Sequence, residues 1–171
     1  MKKIIALIIV LFIVTSAFAQ TEPVVGFWLS VDENTNKVTA AWRIIVLTSG
    51  ELRGSIVSTP DEPRGTLLYN CRDRYNGFPI QGSVKQMRLD GTPLIFGLTK
   101  RDTGDWRGGN IIDPESGTMY GCRIIFHAAG SKSGNRTFQQ DTLEMRGNFG
   151  PIARSQFWRR TTEQHAGSLW P

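Results

Sequence analysis

The sequence predicts an all-β fold, an antiparallel barrel or sandwich of about eight strands. Three observations predict it. Apolar residues recur at every second position through most of the chain after residue 25, the spacing of half-buried strands. Turn formers, among them 18 Gly and 8 Pro, separate these runs at fairly regular intervals, as in sandwiches and barrels. No stretch holds a helical apolar period over three turns. The 171 residues suffice for one core, and a composition of 40% hydrophobic and 20% charged residues excludes wholesale disorder.

The elements follow in order. Gly26–Val31 is a short first strand, and the DENTN of residues 32–36 is its turn. In Lys37–Leu47, Val38, Ala40, Trp42, Ile44 and Val46 share one face, with Thr39, Ala41 and Arg43 on the other. Ser49-Gly50 turns the chain into Glu51–Ser58, which completes a hairpin. Residues 59–77 hold Pro60, Pro63, Gly65 and Gly77 and read as an irregular connection. Ile80–Leu89 and Leu94–Lys100 are both strand-like, divided by the turn sequence DGTP. Trp106–Ile112, Thr118–His127, Thr142–Gly147 and Gln156–Arg160 complete the set, with Ser131–Asn135 a polar loop tip.

Residues 1–19 read as a secretory signal peptide. Lys2 and Lys3 form a basic start, Ile4–Val14 is an unbroken apolar run, and Ala17-Phe18-Ala19 is a cleavage signal. The run is too short for a bilayer span, so cleavage before Gln20 and a location outside the cytoplasm are expected, with no integral membrane anchor. Residues 20–160 then form the barrel domain and 161–171 a polar tail. Cys71 and Cys122 are the two cysteines. In an oxidising compartment they either pair, closing a loop of about 50 residues worth roughly 4 kcal/mol, or stand as two unrelated core residues.

Chemistry-bearing patterns are sparse. Lys and Arg number 20 against 15 Asp and Glu, and two of the lysines lie in the leader, so the balance does not make a nucleic-acid footprint. The two histidines, His127 and His165, lack metal spacing, and no nucleophile elbow or phosphate-binding loop occurs. Asp32-x-Asn34-x-Asn36 starts like a calcium loop, but Lys37 replaces the required Gly and Arg43 the closing Glu, so a turn is expected. No cofactor and no metal site are expected. Arg43, Arg53 and Arg146 fall inside strands, and at least one is expected to point inward toward an anionic group. Closing a barrel brings the first and last strands together, so Trp28 is expected to lie under Arg159 or Arg160 in a cation–π contact.

The order Gly26-x-Trp28, Gly54-Ser-Ile56, Trp106-x-Gly108-Gly109-x-Ile-x-Asp113-Pro114-x-Ser-Gly117-x-x-Tyr120, Arg146-Gly147-x-x-Gly150 and Arg154-x-Gln156-x-Trp158-Arg159 resembles the exported bacterial family known as domain of unknown function 2147. The Gly-x-Trp start with a late arginine is similar to lipocalin and fatty-acid-binding barrels. The resemblance implies a lipocalin-like barrel outside the cytoplasm and no established activity. Read physically, Gly108-Gly109 permits close backbone approach, Asp113-Pro114-x-x-Gly117 is turn chemistry, and Trp106 and Trp158 belong to the frame.

The main functional expectation is a non-enzymatic carrier. A small apolar or amphipathic ligand would lie inside the barrel against Trp42, its anionic head on Arg43, Arg53 or Arg146, with Asp113 and Tyr120 at the mouth. The alternatives are an envelope protein with a packed barrel and an enzyme built in the barrel mouth. Small inward residues such as Ala40, Gly54 and Gly108 would favour a cavity.

Overall fold

A computed structural model describes residues 22–149 and 152–171. The leader and its cleavage site lie outside the described residues. Eight strands close an antiparallel up-and-down barrel: β1 (Gly26–Val31), β2 (Val38–Val46), β3 (Leu52–Ser58), β4 (Pro93–Asp102), β5 (Asp105–Asp113), β6 (Thr118–His127), β9 (Thr142–Phe149) and β10 (Ile152–Thr161). A small hairpin, β7 (Lys132–Ser133) with β8 (Arg136–Thr137), is inserted between β6 and β9. Each barrel strand pairs with the next in sequence, and β1 closes the ring on β10 with Trp28 opposite Arg160.

Alternation places the core. Trp28, Trp42, Ile44, Leu52, Ile56, Ile124, Leu143, Met145 and Trp158 form the interior cluster, drawn from every second position of their strands. The intervening residues face out. A short helix, α1 (Glu163–Ala166), packs on that outer face, where Ala166 meets Leu29 and Ala41 and Ser58 Oγ donates to its carbonyl. Thr162 caps the helix by accepting from His165 N at 3.2 Å.

Two ends result. At one, β1 begins, β10 finishes and the 103–104 turn joins β4 to β5; at the other lie the 32–37 and 114–117 turns and the long connection 59–92. That connection folds over the second end and sends Leu68, Cys71, Val84 and Leu89 into the interior cluster. The strand expected at Ile80–Leu89 is a correction: the segment holds a 3₁₀ turn at Val84–Gln86 and a single bridge from Arg88 to Leu67. A closed barrel offers no free edge for another strand to pair with, and Gly82 adopts φ 113.

Candidate functional site

The lumen is solid where a lipocalin-type ligand would lie. Trp42 and Trp158, on the two strands that flank β1, stack inside it over the inner face of β1, ring centroids 4.9 Å apart at 23°. Trp42 Nε1 donates to Ser30 Oγ at 3.2 Å and Trp158 Nε1 to Gln156 Oε1 at 3.2 Å. Trp28, Ile44, Leu52, Leu98, Ile112, Ile124 and Leu143 are 0% exposed; a side chain with no exposed area borders no space that a water molecule can enter. Gly54, a position where a cavity would have begun, is filled over: a Cβ there would lie 2.7 Å from Ile44 Cδ1 and 2.8 Å from Ile95 Cδ1. Ala40 is likewise buried in the interior cluster. Two hollows, of about 400 and 320 Å³, lie on the outer wall and in the 59–92 connection.

At least one of Arg43, Arg53 and Arg146 is expected to turn inward; all three face out, which corrects that expectation. Arg43 is exposed, its Cζ 6.0 Å from the Phe27 ring centroid. Arg53 Nε donates to Glu51 at 2.8 Å, and Arg146 Nη2 to Glu144 at 2.6 Å. The cause is the strand period. Each arginine lies between two inward residues, and Arg53 and Arg146 carry an acid two positions upstream, on the same face. Asp113 serves its turn: Oδ1 accepts from Glu115 N at 3.0 Å and Oδ2 from Ser116 Oγ at 2.6 Å. Tyr120 is half-buried on the lumen-facing row near the same end. The structure therefore brings Trp42 to the lumen, Asp113 and Tyr120 to one end, and the arginines to neither place.

The frame residues are better placed. Arg160 lies over Trp28, Cζ 4.2 Å from the ring centroid, and its guanidinium donates to the carbonyls of Val25, at 3.2 Å, and Pro23. Trp28 Nε1 donates to the Val24 carbonyl at 2.8 Å. Gly26 leaves the guanidinium room, since a Cβ there would lie 3.0 Å from Arg160 Nη1. Arg159, the other candidate, points outward and donates to Asn36 Oδ1. Trp106 is buried in the interior cluster. Gly108, at φ 78, sits in an irregularity of the β5–β6 ladder, and Gly109 admits the β4 backbone at Phe96 and Leu98. Gly117, at φ 64 after Pro114, lies against the Asn70 carbonyl of the long connection.

Both cysteines are free thiols. Cys122 Sγ lies 3.2 Å from Met145 Sδ, and burial pushes its pKa up; burial also raises that of Cys71, which lies beside Tyr75. Asp32 is a turn carboxylate, Oδ1 accepting from Asn34 N, Thr35 N and Thr35 Oγ1. Among the described residues no cluster of three metal-ligating side chains occurs.

One polar cluster was not anticipated from the sequence. On the outer face of β6, β9 and β10, Glu144 receives Ser155 Oγ at 2.6 Å and Arg146, and its Oε2 lies 2.8 Å from His127 Nε2. Burial opposes its charge, yet the hydrogen bonds from Ser155, His127 and Arg146 win and hold the carboxyl below its ordinary range. The order of groups is not that of a catalytic triad. Ser155 donates to the carboxylate, so the imidazole is not placed to take its proton. A signal existed: an acid and an arginine two apart in a strand, with a histidine ending the neighbouring one.

The sequence profile of a bacterial family, described as "Uncharacterized protein conserved in bacteria (DUF2147)", matches residues 26–160. Among curated proteins none gives a significant match. Among solved structures, the Helicobacter pylori protein HP1028, described as belonging to the lipocalin family, aligns with a TM-score of 0.59 and 14% identity over 84% of this chain and 86% of that one. At that identity the likeness is one of fold.

Proposed function

Because the chain belongs to the DUF2147 family of uncharacterised bacterial proteins and closes a lipocalin-like barrel, we propose that it works outside the cytoplasm as a non-enzymatic interaction protein whose barrel interior is structural. The observation that carries this reading is the filled lumen: large side chains on opposite strands with no exposed area, such as Leu52 on β3 and Leu143 on β9, and the Trp42–Trp158 stack over the inner face of β1. An eight-stranded barrel is narrow enough for side chains alone to fill it. The leader-like first 19 residues support export.

A second reading keeps a lumenal apolar ligand. It is favoured by how the second end is closed, by a connection rather than by strands, with Phe78 edge-on to Phe96 at 5.4 Å. If that connection withdrew, apolar side chains at the top of the lumen would open to a hydrophobic molecule.

Native mass spectrometry of protein purified from its host, with lipid extraction of the same sample, separates the two. We expect the mass of the unliganded chain beginning at Gln20 and no co-purified lipid. Competition with a fluorescent fatty-acid analogue provides the complement. Saturable micromolar binding would sink the packed-barrel reading in favour of the second, and a chain beginning at Met1 would sink export.

A further inference from the structure

The outer wall carries a hollow that takes no part in closing the barrel. It holds about 400 Å³, a small-molecule volume. Its floor is the outward face of β10 at Phe157 and Arg159; the segment around Arg136–Gln140 forms one wall, and Glu33 and Asn36 form the other. The wall is fixed in place. Phe138 is buried and stacks on His127 at 4.1 Å and 9°, with Phe157 5.9 Å away. Its backbone is tied to Gly130 and Ser131 by hydrogen bonds of 2.7 and 3.0 Å.

Two guanidiniums border this hollow, and each is held without being neutralised. Arg136 lies flat over Phe157, Cζ 3.7 Å from the ring centroid. Arg159 donates to Asn36 Oδ1, and Asn36 is the one non-glycine residue at positive φ among the described residues. Among the described residues neither arginine forms an ion pair, with Glu33 or with any other acid. Outward arginines of other strands do: Arg146 meets Glu144, and Arg107 and Arg123 share Asp105. Around the two cations stand the neutral hydrogen-bonding groups Gln139, Gln140 and Thr137, with Glu33 as the single carboxylate lining the hollow, so its two guanidiniums outnumber its acids.

We propose that this hollow binds a small hydrophilic oxyanion, a carboxylate or phosphate held between Arg136 and Arg159 with its polar body against the glutamine side chains. Guanidinium forks match such groups in geometry and charge. Arg136 is already ordered by the ring beneath it, so less freedom is lost on binding. The site is independent of what the lumen holds, and the fatty-acid competition does not bear on it.

The test is an NMR titration that follows the arginine Nε–H signals at constant ionic strength, with inorganic phosphate, glucose 6-phosphate and neutral glucose as probes. The Arg136 and Arg159 signals should shift saturably with either phosphate and not with glucose. Arg136→Ala and Arg159→Ala should each weaken binding about tenfold or more, while Arg101→Ala, an exposed arginine on β4, should leave it unchanged. Arg136 is exposed on the hairpin, so its variant tests the site even if Arg159→Ala disturbs the turn. Tighter binding of glucose 6-phosphate than of phosphate would show that the glutamines engage the body; equal binding would show an oxyanion site alone. The absence of any saturable shift, or equal affinity in wild type and Arg136→Ala, would overturn the proposal.

Discussion

The two ends of the barrel are shut by opposite means. Where β1 begins, closure is local: Arg160 covers Trp28, its donors take the carbonyls of Pro23 and Val25, and Glu22 accepts from Gly104 N at 3.3 Å and pairs with Lys100. At the other end a long segment is laid over the opening. It is pinned where Tyr75 Oη donates to the Gly117 carbonyl at 2.7 Å and accepts from Arg72 N at 2.9 Å. The first closure centres on one side chain, Arg160, which reads nearby backbone and pairs with Asp141 at 3.4 Å. The second depends on a distant turn having a conformation and a space that only glycine supplies. A point change should therefore loosen the first end and displace the segment that covers the second.

The largest effect should come from Gly117→Ala. The position has φ 64, and a Cβ would overlap the Asn70 carbonyl, so both the backbone and the covering segment must move. We expect a loss of at least about 2 kcal/mol, read by urea unfolding, together with faster amide exchange around Leu68–Tyr75. Unchanged exchange there would mean that Gly117 does not anchor the segment. Next in size is Arg160→Ala at the opposite end, which removes the cation–π contact, the hydrogen bonds to Pro23 and Val25 and the Asp141 pair; it should cost about 1–2 kcal/mol and raise exchange near Trp28 while leaving Leu68–Tyr75 alone. If both variants loosen the same residues, the ends are coupled and the contrast fails.

The smallest effect is that of pH on Glu22. Burial opposes its charge, but hydrogen bonds from Lys100 and Gly104 outweigh it and lower its pKa. A carboxyl depressed in the folded state stabilises above its unfolded value, about 4.3, and loses that contribution as pH falls through the folded value. Glu22→Gln should thus lower stability by less than about 1 kcal/mol at pH 6, a difference that shrinks at pH 3. The same difference at both values would show that the charge contributes nothing.

Much of this architecture is legible in the sequence. Gly26–Val31 and Thr118–His127 are strands with the bounds their alternation implies, and β2 and β3 differ from expectation by a residue at their ends. The reason is physical: a strand buried on one face writes its period into the chain. The same rule was available for Arg43, Arg53 and Arg146, each flanked by inward residues, and it outweighs any attraction of an arginine for an interior ligand. The fill of the lumen is not legible, because it depends on which side chains of unpaired strands meet inside the ring, as Trp42 meets Trp158 over β1. Nor is the covering segment, whose apolar residues Leu68, Cys71, Val84 and Leu89 follow no period. The outer hollow joins three distant stretches of chain, and only closure of β1 on β10 brings them together.

That closure has a kinetic side. Seven of the eight barrel pairings join strands that are successive around the meander, whereas the eighth links the two ends of the domain. Loop entropy grows with separation, so β1–β10 pairing is the contact a folding chain gains least by making early. Arg160 over Trp28 then forms after the rate-limiting step. Its removal should steepen escape from the native state, moving the unfolding limb of the chevron and leaving the folding limb in place; a shifted folding limb would put closure in the nucleus. On this view the arginine acts as a latch on lifetime: it governs how long the ring stays shut once made.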